Sequence, residues 1–159
     1  MKKYLFALLI ILMPPSLLAT PPGILRLEAR APMDQTYKAV HAALENARFW
    51  VVFEADLGSN LATFAERWGE DLNRNALGGI RSIVVCNAWY ANQVSNADPD
   101  LLALCPLRVN LVEKDGVTRV LFARPTVTAA GSPGIAVVEE VERAIEAALR
   151  AGVAAAEGR

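Results

Sequence analysis

The chain has 159 residues, 53% of them hydrophobic and 21% charged, with 16 Lys+Arg against 17 Asp+Glu. That is too apolar for a disordered chain, and a formal net charge of −1 gives no electrostatic case for nucleic acid as a partner. About 150 residues is the length of one domain, large enough to hold its core without a structural metal or disulfide.

The first 19 residues form the expected signal segment. Lys2 and Lys3 precede an unbroken apolar run, Tyr4 to Met13, which Pro14, Pro15 and Ser16 interrupt before Leu17-Leu18-Ala19. Charge, apolar run and small-residue end come in the order of a secretory signal. The run is about half of the ~20 residues that a membrane-spanning helix needs. Cleavage after Ala19 would leave a mature chain with no stable membrane anchor. It would hold 14 basic against 17 acidic residues, a charge of −3. The expected location is the periplasm. Both cysteines, Cys86 and Cys105, lie in the mature part, and disulfides persist in such a compartment.

Leu25, Leu27 and Ala29 alternate with Arg26, Glu28 and Arg30, the period of a strand with one wet face. Asp34 is placed to cap a first helix, with Tyr37, Val40, Leu44 and Arg48 at helical spacing. Trp50 to Ala55 is aromatic and β-branched, a second strand. After a turn at Gly58, Ser59 or Asn60 would cap a helix burying Leu61, Phe64, Ala65, Trp68 and Leu72. Ile80 to Cys86 is apolar enough to be a strand buried on both faces. Asn87 caps a short helix to about Asn96, and Asp98-Pro99 fits another cap with proline in the first turn. Asp115-Gly116, between Pro106–Glu113 and Val117–Arg124, is the strongest hairpin signal. Ile135, Val138, Val141, Ile145 and Leu149 mark a long final helix, with the tail after Ala151 expected to fray. The sum is an α+β two-layer sandwich, β-α-β4-α, mostly antiparallel, with two helical insertions.

Candidate chemistry centres on Cys86, at the end of one strand, and Cys105, at the start of the next. If those strands are antiparallel neighbours, both thiols lie at one end of the sheet, with adjacent strands ~5 Å apart. Three readings stand open. One is a structural disulfide closing the intervening 18 residues, 87–104, worth ~3 kcal/mol in the chain-entropy model. Another is a pair of reduced thiols acting as small hydrophobes. The third is a functional pair, redox-active or a ligand set for a soft metal such as Cu(I). Cys86 precedes a helix N-terminus, which favours thiolate. Cys105-Pro106 resembles Cys-Pro haem-thiolate contacts, but the Cys-x-x-Cys-His haem attachment motif is absent. The following stretch holds Asn87, Trp89, Tyr90 and Asn96, candidates for the polar and aromatic wall of a ligand pocket. His41 is the only histidine and lies at the edge of its helix's apolar stripe, where a structural role outweighs a metal-ligand one. Arg67, Arg81, Arg108 and Arg124 suggest an anion site less than they suggest solvated strand ends. No catalytic constellation is present, so a non-enzymatic binding protein leads over a thiol-redox enzyme, a sulfur carrier or a structural module.

Several of these runs together resemble a known family. Ile83-Val84-Val85-Cys86-Asn87, Ala97-Asp98-Pro99, Leu104-Cys105-Pro106-Leu107-Arg108-Val109 and Glu113-Lys114-Asp115-Gly116 look like the family catalogued as domain of unknown function 302 (DUF302). Thr36 to Phe53 is similar to that family's opening helix and strand. On this basis residues 34–151 form the DUF302-like domain, 20–33 an N-terminal extension and first strand, and 152–159 a flexible tail. The resemblance implies a sheet of the TATA-box-binding-protein class and a homodimer, and it implies no established activity. Relatives look to carry a Cys just after the proline of the later strand, whereas Cys105 precedes Pro106. That departure puts a shared two-thiol role in doubt, because one step along a strand changes its face.

Overall fold

The computed structural model describes residues 21–159. The expected signal segment and its cleavage point lie outside the described residues. The strands are β1 (Ile24–Ala29), β2 (Trp50–Asp56), β3 (Gly79–Cys86), β4 (Leu107–Lys114) and β5 (Val117–Ala123). They form one sheet in the order β1-β5-β4-β3-β2, every neighbouring pair antiparallel. Helix α1 (Met33–Asn46) follows β1, and α6 (Ile135–Ala156) ends the fold. These two pack on each other and cover one face of the sheet. The sequence-derived β-α-β4-α sandwich is the observed architecture.

The core follows from the period-two pattern. Leu25, Ile83, Val85, Val109, Leu111, Val120 and Phe122 point from alternate strand positions at Val40 and Leu44 of α1 and Ile145 and Leu149 of α6. Asp115 and Gly116 both take positive φ, 53° and 75°, as the hairpin between β4 and β5 requires. Two caps match expectation. Asn87 Oδ1 accepts from the Tyr90 N–H at 3.1 Å ahead of α4 (Ala88–Ala97). Asp98 accepts from the Asp100 N–H ahead of a 3-10 helix, Pro99–Leu104, with Pro99 in its first turn.

Five local expectations are corrected. Asp34 is not a cap: α1 starts at Met33 after Pro32, with no side-chain cap. Asp34 instead pairs with Arg81 across to β3, at 3.0 Å. The helix after β2 is broken into α2 (Leu57–Ala62), capped by Asp56, then α3 (Ala65–Trp68) and a 3-10 turn. None of these pieces buries a residue, and Phe64 and Trp68 stack on each other in the open, centroids 4.6 Å apart. Helical spacing identified an apolar stripe, but the sheet offers it no groove. Strand β3 is fully buried on one face only: Ile83 and Val85 are buried, whereas Ile80 and Val84 on the other face, either side of a buried Ser82, stay partly exposed. The tail does not fray at Ala151. Helix α6 runs on to Ala156 because Gly152 lets it touch α1: a Cβ there would stand 2.8 Å from Val40 Cα. A short helix, α5 (Pro125–Thr128), also breaks the loop that the sequence left irregular.

Candidate functional site: a two-thiol pocket at the end of the sheet

Antiparallel pairing of β3 with β4 places Val85 opposite Leu107. Cys86 is the last residue of β3, whereas Cys105 does not start the next strand as expected: it follows the 3-10 helix, two residues before β4. Both thiols therefore reach the same border of the sheet. Both are half-buried, and both line one pocket. The pocket is closed by Phe49, by Tyr90 and Val94 of α4, by Leu101 and Leu104 of the 3-10 helix, and by Val138 and Val141 of α6. Its wall is almost wholly apolar, and its free volume is about 30 Å³. That is room for one water molecule or one ion.

Both cysteines are free thiols. The disulfide reading is therefore not what the structure holds: the sheet brings the two residues to one pocket without bonding their sulfurs. Burial pushes the Cys105 thiol above its ordinary pKa, and the nearby Cys86 raises it further. Cys105 is thus held in its protonated form at neutral pH.

The remaining candidates divide. Asn87 and Tyr90 line the pocket. Asn87 spends its side-chain oxygen on the α4 cap. Tyr90 stacks on Phe49, centroids 6.0 Å apart, and its hydroxyl donates to Glu140 at 3.3 Å. Burial, followed by the neighbouring Glu140 carboxylate, raises the Tyr90 pKa. Trp89 and Asn96 are not part of the wall. Trp89 is 66% exposed on the outer side of α4, and Asn96 is exposed near that helix's end. A ten-residue helix shows the pocket only one face, and that face is Tyr90, Ala91 and Val94. Leu101, Leu104, Val138 and Val141 were not anticipated as pocket residues. The three-residue step from Leu101 to Leu104 was the available signal, since it aligns side chains on a 3-10 helix.

His41 lies apart from the thiols. Its Nε2 is 3.6 Å from Glu54, which also accepts from the Tyr37 hydroxyl. The Arg81 guanidinium covers the Tyr37 ring at 5.0 Å. Arg124 is committed to Glu142 and Glu146 of α6, at 2.6 and 3.1 Å. Neither arginine is left for an anion. Among the described residues no three His, Cys, Asp or Glu side chains cluster as metal ligands.

No curated protein matches the chain. A crystal structure of an uncharacterized conserved DUF302 protein from Bacillus stearothermophilus superposes with a TM-score of 0.71. It is 16% identical and covers 82% of this chain and 98% of its own, a likeness of fold. The profile described as "Domain of unknown function DUF302" matches residues 25–152, so the chain belongs to the DUF302 family.

Proposed function

We propose that this DUF302 chain is an exported, non-enzymatic binding module whose site is the pocket between Cys86 and Cys105. The supporting observation is the convergence of two free thiols on one small apolar cavity. The raised Cys105 pKa weighs against a redox cycle, because a protonated thiol is a poor nucleophile and a poor leaving group. The export reading rests on the order of Lys2-Lys3, the apolar run and Ala19. Thiol protection tests the pocket. Alkylation of the folded chain by a small neutral reagent is expected to be slow, and saturation with the ligand should slow it further. Labelling of both cysteines at the rate of a free peptide thiol would overturn the reading.

We also propose that a second copy of the chain covers the outer edge of β2. Among the described residues β2 is an edge of the sheet. Trp50, Val52 and Phe53 there are 53%, 56% and 61% exposed. The other edge, β1, carries Arg26 and Glu28, which discourage pairing. The exposed apolar area on β2 is on the order of 400 Å², close to the apolar share of the ~800 Å² per partner in a standard interface. A twofold axis beside β2 makes such an edge self-complementary. Sedimentation is expected to give a dimer, and Phe53→Glu a monomer. A monomeric parent chain would overturn the pairing.

A further inference from the structure

Resting on the two-thiol reading above, we propose that the pocket takes a soft monovalent metal ion, Cu(I), held by Cys86 and Cys105 as a two-coordinate dithiolate. The donor inventory narrows the ion. The whole chain has two cysteines and one histidine, and His41 is engaged with Glu54 away from the pocket wall. Zinc in structural sites takes four protein ligands, and iron–sulfur clusters take four cysteines. Calcium and magnesium need oxygen donors, which this apolar wall does not supply. Thiolates select Cu(I), which is stable with two of them. The free volume of about 30 Å³ fits an ion and is far below the few hundred Å³ of a pocket for a drug-sized ligand.

The chemistry balances without a redox partner. Each thiol passes its proton to solvent, two S–Cu bonds form, and copper stays at +1. The complex carries one negative charge. The N-terminus of α4 stands immediately after Cys86, and its free N–H groups and dipole favour that charge. Because binding releases protons, uptake strengthens as pH rises.

The test is a titration of the full chain with Cu(I), kept reduced, against a chromophoric Cu(I) chelator, with Zn(II) run in parallel. The expected result is one Cu(I) per chain and release of two protons, with only sulfur ligands in the X-ray absorption spectrum. Cys86→Ser and Cys105→Ser should each weaken uptake at least ~100-fold. Cys→Ala variants at both positions, checked by circular dichroism, separate lost ligation from lost folding. Zn(II) bound as tightly as Cu(I), or Cu(I) uptake that survives both substitutions, would overturn the assignment. Alkylation of the folded chain by a small neutral reagent distinguishes the two levels of the proposal. Slow labelling of both cysteines without Cu(I) uptake overturns the ion and spares the pocket. Labelling of both at the rate of a free peptide thiol, without Cu(I) uptake, overturns the pocket as well.

Discussion

Val85 of β3 lies directly opposite Leu107 of β4, and this pairing decides where two sulfur atoms 19 positions apart in the chain come to rest. Beyond that pair the strands end together, and the chain between them folds back as α4 and a 3-10 helix. The pocket is therefore a by-product of register: a shift of β4 along β3 would carry Cys105, two residues ahead of β4, away from Cys86. The connection that carries the capped helix also carries the apolar side chains that close the cavity.

The first prediction concerns the thiols. Two free thiols should be titratable per chain once it is unfolded in denaturant without reductant. A reductant should leave the melting temperature unchanged, because no cross-link restrains the unfolded chain. A bond across residues 87–104 would instead contribute ~3 kcal/mol, and a fall of several degrees on reduction would reveal it.

Cys105 should also label later than a free peptide thiol on a rising pH scale. Its pKa is raised by burial and then by the neighbouring thiol, so its thiolate appears only above the ordinary range near 8.5. The rate of Cys105 alkylation, followed by mass spectrometry against a peptide thiol at each pH, checks this. Equal rates at neutral pH would contradict the burial.

Much of the fold was legible because its signals are local and repeat. Alternating Leu25, Leu27 and Ala29, the Asp115-Gly116 turn and the Asn87 and Asp98 caps each act within a few residues, and each appears where expected. The stripe of Phe64 and Trp68 shows the limit. Spacing says that a helix has an apolar face but not that a partner exists for it. Gly152 shows the converse, since its place in a small-residue tail looked like fraying and is in fact the contact with Val40. The pocket was half legible. The cysteines and Tyr90 stood out by type, whereas Val138 and Val141 reach it only through tertiary packing.

Close approach at Gly152 yields a stability prediction. Gly152→Val must push Val40 or the whole of α6 away, because even a Cβ would meet Val40 Cα at 2.8 Å. Overpacking of this kind costs about 1–3 kcal/mol, and here backbone rather than a flexible side chain stands in the way. Denaturant unfolding should show a lowered midpoint. An unchanged midpoint would mean that the two helices are not packed as described.

Acid should act through α6. Glu142, largely buried, accepts from the Thr126 N–H and hydroxyl and from Arg124, while Glu146 accepts from Arg124 and Arg150. Burial pushes Glu142 up, but its hydrogen bonds outweigh that and hold it below the usual carboxylate range. Hydrogen bonds from Arg150, and then Arg124, hold Glu146 low as well. A carboxylate with a depressed folded pKa gives stability that is complete above its unfolded value, near 4.3, and is lost as pH falls through the folded value. Stability should thus be flat from neutral pH down to about 5 and then fall. Glu142→Gln keeps the shape, loses charge-assisted bonds and leaves Arg124 less well paired, a cost of about 1–3 kcal/mol at pH 7. Because Gln does not titrate in this range, the variant should also lose less stability than the parent below pH 4. Urea midpoints at pH 7 and pH 3 for both chains measure the two effects together. Parallel acid losses in parent and variant would remove Glu142 from the account of acid unfolding.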